Sequence, residues 1–377
     1  MRLTEMDGKA LLRRHGVAVP RGVALPAGGA VPPEAQDWPG LVLKAQVLEG
    51  GRGKRGLVRR VTPAEVPALR AAMTAQAGAV PFLLEEAVEI TRELYLALRV
   101  DGTRQVIECL FSAEGGIAVE GAATLLRLPV DPDDPFAADL LFAALRAALP
   151  ADLAARVARL VPRLARLLRA EDLELLELNP LAVTPAGLVA CDAKLVRDAA
   201  ALPRHDTPAA SAALEAAALT PLERQARQRG FALVEMPGDV ALVSAGAGLG
   251  MQLMDLLADH GLRAASFMDN LRGGPAETTE ARLEAAFALA ARPEVKAILF
   301  YTTLASRPLR DRVETLLAFL ARHPPPRPLY AGFAAGHAAT RGFDAEAARG
   351  QLRAAGVAAL HEDPRALVRA LAADLAA

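Results

Sequence analysis

The chain has 377 residues, 53% of them apolar, and its 43 Lys plus Arg nearly balance 44 Asp plus Glu. That length holds about two or three domains, and the even charge excludes the basic footprint of a nucleic-acid or membrane-surface binder. Two cysteines, Cys109 and Cys191, exclude a disulfide framework; there is no signal-like apolar core and no uncharged run long enough to span a bilayer, so a cytoplasmic protein is expected.

Residues 3–15 carry Leu3, Met6, Ala10, Leu11 and Leu12 at helical spacing and stop at Gly16, which predicts an amphipathic helix with those residues inward. Strands are predicted at 17–24 and 41–47, the second with Lys44 in its middle. From 49 to 56 the chain reads Glu-Gly-Gly-Arg-Gly-Lys-Arg-Gly. Glycines let a main chain approach a phosphate closely, its N–H groups form an anion-binding nest, and Arg52 and Lys54 add charge. A flexible basic hairpin tip has the same composition. Lys44 favours phosphate, because a mid-strand lysine that points inward needs an anionic partner. The spacing is not that of a Walker A loop. A helix follows at 62–77, capped by Thr62, then strands at 82–86, 92–99, 105–111 and 117–120, and helices at 135–147 and 151–170.

In residues 173–194 two apolar runs flank Thr184-Pro185-Ala186-Gly187, the signature of a hairpin. Folding it brings Glu177 and Asn179 across from Asp192. Oxygen donors of this kind suit a hard cation such as Mg²⁺, which completes its shell with phosphate and water. A half-buried hairpin with a wet polar face alternates in the same way, so the stretch alone fits both readings. The phosphate-type loop and Lys44 give such a cation something to coordinate and favour the metal. Residues 198–236, with helical pieces at 212–217 and 221–229, read as a bridge. From 240 the pattern becomes a clean alternation of strands (240–244, 263–268, 296–301, 328–333, 357–360) with helices (251–260, 279–291, 309–321, 345–355, 364–376). Such alternation predicts an α/β, doubly wound, parallel five-stranded sheet. Two domains are expected, 1–225 and 236–377.

Taken together these residues resemble the β subunit of succinate–CoA ligase, over essentially the whole chain. The resemblance implies an ATP-grasp nucleotide-binding domain followed by a flavodoxin-like CoA-ligase domain. Lys44-Ala45-Gln46-Val47 with Gly50-Gly51-Arg52-Gly53-Lys54 is similar to the family's nucleotide segment, which implies phosphate contacts from Lys44, Gly51, Arg52 and Gly53. Leu84-Glu85 through Arg92-Glu93-Leu94-Tyr95-Leu96 implies that Glu85 and Glu93 serve the nucleotide and that Val88 makes a main-chain contact. Glu177-Leu178-Asn179-Pro180 is similar to the family's Glu-Ile-Asn-Pro motif and implies that Asn179 and Asp192 hold Mg²⁺. The family's chemistry passes a phosphoryl group from ATP (or GTP) to a histidine on an α subunit, then to the acid, where CoA displaces it. That implies CoA as co-substrate, an αβ or α2β2 assembly, Lys44 and Arg52 as the catalytic cations, and succinate as the default acid.

The second half departs from the family. Ala245 stands where the family has an acid-contacting Asn, Asp269-Asn270-Leu271-Arg272-Gly273-Gly274 replaces Asp-Val-Gly-Gly-Gly, and Ala305-Ser306-Arg307-Pro308 replaces Gly-Gly-Ile-Val. A proline removes a main-chain donor, whereas Arg272 and Arg307 offer side-chain donors to a carboxylate. Ala245, Ser306, Arg307 and Pro308 are the candidate acid-site positions. The alternatives are a malate- or citrate-type acid–CoA ligase, or a regulatory subunit that binds nucleotide and has lost the acid site. A stand-alone carboxylate–amine ligase has no need of the second domain. His337, in Gly336-His337-Ala338 after the fourth strand of that domain, superficially resembles an α-subunit phosphohistidine loop, although a lone loop histidine is more often a surface residue.

Overall fold

The computed structural model describes every residue except 26–29, 116–124, 245, 271–277, 304–308, 335–343 and 377. The chain divides into two compact units, Met1–Ala218 and Leu219–Ala377. The expected strand at 117–120 and the positions Ala245, Arg272, Ala305, Ser306, Arg307, Pro308 and His337 lie outside the described residues.

In the first unit, α1 (Glu5–Arg14) is capped by Thr4, whose hydroxyl accepts from Asp7 N, and carries acids in its first turn and arginines in its last, which complements the helix dipole. Its buried face differs from the expected one. Glu5, Gly8, Lys9 and Leu12 are buried together with Leu11, while Ala10 is exposed. The i, i+3, i+4, i+7 stripe therefore contains two charges, each of which finds a partner inside the protein.

β1 (Gly22–Ala24), β2 (Leu41–Ala45), β3 (Val58–Val61) and, after α2 (Val66–Ala77), β4 (Phe82–Glu86) form an antiparallel sheet in the order β1-β4-β2-β3. Alternation sends Leu41, Leu43 and Ala45 of β2 into a core with Phe82, Leu84 and Met73, and turns Lys44 to the opposite face. β5 (Arg92–Asp101), β6 (Val106–Ser112) and β7 (Leu126–Val130) lead to the helices α3 (Ala137–Leu145) and α4 (Ala151–Ala170). The chain returns through β8 (Leu173–Thr184), β9 (Gly187–Ala190) and β10 (Ala193–Arg197), then ends this unit with α5 (Ala209–Ala218). This second sheet runs β10-β8-β5-β6-β7, with β9 also on β8. One of its faces packs Leu94, Leu96, Leu98, Leu176 and Leu178 against Val157, Val161, Leu164 and Leu168 of α4.

The second unit begins earlier than its sequence pattern. The stretch read as a bridge contributes α6 (Pro221–Gln228), with a Thr220/Glu223 capping box, and β11 (Phe231–Glu235). Then come β12 (Val240–Ser244), α7 (Ala247–Asp259), β13 (Ser266–Asn270), α8 (Thr279–Ala290), β14 (Ala297–Thr303), α9 (Leu309–Arg322), β15 (Leu329–Ala334), α10 (Ala345–Ala354), β16 (Ala359–His361) and α11 (Pro364–Ala376). The parallel sheet is present, in the order β12-β14-β15-β16. The remaining expected strand, read at 263–268 and present as β13, pairs antiparallel with β11 instead. The residues just before β13 still touch β12 through a parallel bridge at Val240 and Ala264, and beyond that the Ser266 hydroxyl replaces the ladder, accepting from Leu242 N (3.0 Å) and donating to Leu242 O (3.1 Å). Among the described residues no helix is long and apolar enough to cross a membrane.

Candidate nucleotide site

The face of β2 that carries Lys44 looks onto a cavity of about 630 Å³ within the first unit. Lys44, Gly51, Arg52, Gly53, Glu85, Val88, Glu93, Asn179 and Asp192 all line it. These are the nine positions that the family resemblance assigned to nucleotide and metal, drawn from three separate stretches of chain, and Lys54 and Glu177 line the cavity with them.

The Gly-rich segment folds as a compact turn between β2 and β3, closed by Arg55 N to Gly51 O (3.2 Å), Gly56 N to Gly53 O (3.1 Å) and Leu57 N to Arg52 O (2.9 Å). Gly51 has φ +71°, a backbone state that favours glycine. The turn buries Arg52, which is 8% exposed, and leaves Lys54 exposed at the cavity wall.

Lys44 already has anionic partners, and they belong to the protein. Its ammonium lies 2.7 Å from Glu5 Oε1 and 2.6 Å from Glu85 Oε2, and donates to Cys191 O at 2.7 Å. Lys9 repeats the pattern from one turn along α1, 2.7 Å from Glu5 Oε1, 2.6 Å from Glu85 Oε1 and 2.7 Å from Cys191 O. Arg52 closes the network, with Nη1 2.7 Å from Glu5 Oε2 and Nη2 2.5 Å from Asp192 Oδ1. Three cations thus face three carboxylates, and the cluster is neutral. Sequence reasoning missed Glu5, Lys9 and the Cys191 carbonyl. The signal for the first two was present as an i, i+4 charge pair in register with Leu12 on one helix stripe. Glu85, expected to serve the nucleotide, is 2% exposed and has both oxygens engaged by lysines.

The cluster's ionisation is fixed by its geometry. Burial alone would raise the Glu5 carboxyl, but Lys44, Lys9 and Arg52 outweigh it and hold it below the ordinary carboxylate range. Burial would likewise lower Lys44 and Arg52; Glu5 with Glu85 and Asp192 for the first, and Glu5 with Asp192 for the second, raise them instead. The Glu5–Arg52 contact, 2.7 Å from Oε2 to Nη1, is an ion pair with both atoms fully buried.

The hairpin register pairs Leu178 with Ala193 and Glu177 with Lys194, so Glu177 faces Lys194 (3.8 Å) rather than Asp192. The same register continued places Asn179 opposite Asp192 and Pro180 opposite Cys191, where Cys191 N donates to Pro180 O at 3.1 Å. Among the described residues no three His, Cys, Asp or Glu side chains are grouped to hold a metal. An amide oxygen and one carboxylate, the latter about one-third exposed, nevertheless fit a hard cation that draws its other oxygens from phosphate and water.

Comparison with known proteins gives the chain a family. The ATP-grasp domain family model matches residues 2–183. The β subunit of ADP-forming succinate–CoA ligase from Desulfurococcus amylolyticus is 36% identical over 313 residues, covering 79% of this chain and 81% of that one. Its counterpart from Ignicoccus hospitalis is 33% identical over 333 residues, 84% of this chain and 87% of that one. The chain belongs to the succinate–CoA ligase β-subunit family. It is thereby an ATP-grasp ligase chain of the acid–thiol class. The fold extends further: the structure of ATP citrate lyase from Methanothrix soehngenii, in complex with citrate and coenzyme A, matches with a TM-score of 0.68 over 100% of this chain and 99% of that one, at 19% identity.

Proposed function

We propose that this chain is the nucleotide-binding, β-type subunit of an ATP- or GTP-dependent acid–CoA ligase. The observation that carries the reading is the gathering of Lys44, the Gly51–Gly53 turn, Arg52, Asn179 and Asp192 around one cavity.

In the reaction, the bond from the γ-phosphorus to the ADP oxygen breaks as one to a partner histidine nitrogen forms. The phosphoryl group then moves to the acid's carboxylate, and the CoA thiolate attacks that acyl phosphate, expelling phosphate and leaving a thioester. Transfers of this kind need alignment and charge neutralisation more than covalent help from the protein. Lys44 and Arg52 supply fixed positive charge at the cavity wall, and the turn supplies main-chain N–H groups. Asn179 and Asp192 would hold Mg²⁺, which neutralises phosphate charge when bound. Glu93 and Val88 line the same cavity, and the nucleoside is expected beside them. CoA and the phosphohistidine belong to an α-type partner in an αβ or α2β2 assembly, in the cytoplasm.

Succinate is the acid that the family favours. The replacements at Ala245 and 305–308 favour a second reading, in which a related di- or tricarboxylate takes its place. Co-purification with an α-type chain, followed by ADP release across a panel of such acids with CoA, tests both. Acid- and CoA-dependent ADP release is expected; nucleotide binding with no acid supporting turnover overturns the ligase reading in favour of a regulatory subunit.

A further inference from the structure

We infer that Glu5 is a positioning residue for the nucleotide phosphates, because its two carboxylate oxygens divide between the strand cation Lys44 and the loop cation Arg52. The inference rests on the nucleotide reading above. Lys44 comes from β2 and Arg52 from the turn that follows it, and Glu5, from α1, is the group that touches both, at 2.7 Å each. It holds Arg52 through Nη1, which leaves the guanidinium fixed against α1 at the cavity wall.

Glu5 itself is held from several sides. Met6 N donates to Gln46 Oε1 at 2.8 Å, and Gln46 Nε2 donates back to Lys44 O at 3.3 Å, which ties the first turn of α1 to the end of β2. Thr4 N donates to Ser211 Oγ at 2.8 Å, and the Ser211 hydroxyl donates to Asp7 at 2.5 Å. Lys9 approaches Glu5 and Glu85 without lining the cavity and neutralises the two carboxylates from behind. A buried acid fastened in this way at the N-terminus of a helix is a strut for two cations. If it were only a counter-charge, its loss would leave the site more positive and better for an anion.

The two roles give opposite signs. Titration calorimetry on the full chain with Mg·ATP and with adenosine compares wild type with Glu5→Gln. The expected result is ATP affinity about tenfold weaker with adenosine affinity changed less than about twofold, despite the extra positive charge. Glu5→Asp keeps the charge but is one methylene too short to span both cations; it should show the same split and replaces Glu5→Gln if that variant does not fold. ATP affinity unchanged or tighter in the variants overturns the inference, and so does a parallel loss for ATP and adenosine, which marks a role in the fold alone. A wild-type chain that binds no ATP is a different result, overturning the nucleotide reading and this inference with it.

Discussion

Arg52 Nη2 stands 2.5 Å from Asp192 Oδ1, so one ion pair ties the Gly-rich turn to the hairpin that carries the proposed metal ligands. The same oxygen also accepts from Ala193 N at 2.7 Å. A divalent cation on Asp192 therefore competes with Arg52 for that carboxylate. Asp192→Asn should move two affinities in opposite directions. Metal-free ATP, measured in EDTA, should bind severalfold tighter because Arg52 is released, while the gain on adding Mg²⁺ should largely disappear. Equal shifts in both titrations would contradict the competition.

Lys44→Met should destabilise the first unit as well as weaken nucleotide binding. It leaves Glu5 and Glu85 buried with Lys9 and Arg52 as their remaining cations, and removing one partner from a buried ion pair typically costs about 3–5 kcal/mol. Chemical denaturation reads the first effect and ATP titration the second. Lys44→Arg should not rescue either, because a planar guanidinium cannot reproduce a point charge reaching Glu5, Glu85 and a carbonyl at once.

The acid limb of stability should carry the signature of Glu5. Its folded value is depressed below the ordinary 4.5, so its contribution is fully present above that pH and is lost as pH falls toward the folded value. Between those limits a single such group contributes a slope of up to about 1.4 kcal/mol per pH unit. Glu5→Gln should flatten the fall in unfolding free energy below pH 4.5 relative to wild type. Lys44 acts at the other end. Its value is raised, so its contribution is complete below the ordinary 10.5 and is lost only as pH rises through the higher folded value.

Much of this geometry was legible in the sequence. Alternation placed Lys44 on a strand, the hairpin turn brought Asn179 toward Asp192, and the regular βα rhythm after 240 gave the parallel sheet. Three things were not legible, and each has a physical reason. Of the two anionic partners that Lys44 has, Glu5 lies 39 positions away on a helix, and a periodicity argument assigns a helical glutamate to solvent unless its cation is known. Glu177 faces Lys194, a matter of one step in register that apolar runs do not specify. β13 leaves the parallel ladder because one serine hydroxyl supplies both hydrogen bonds that the next main-chain pair would have made.

The two cysteines should report on the site without any assay of turnover. Cys109 is buried, and burial with Glu108 beside it pushes its thiol up to about 12; Cys191 is partly accessible and lines the cavity, its thiol also raised, chiefly by burial. Iodoacetamide on the native chain should label Cys191 slowly, at a rate still rising above pH 9, and Cys109 hardly at all. Mg·ATP should slow the Cys191 reaction severalfold, as mass spectrometry can follow. Equal labelling of both cysteines, or no protection by ATP, would count against the cavity as the nucleotide site.

One acceptor that Lys9 and Lys44 share is the carbonyl of Cys191, a main-chain atom. No codon change can delete it. An alanine scan would score position 191 by its thiol and pass over the oxygen that receives two ammonium groups, so the site has an anchor that mutation of side chains does not reach. Chemical synthesis can reach it: an ester in place of the peptide bond between Cys191 and Asp192 weakens that oxygen as an acceptor while every side chain stays as it was.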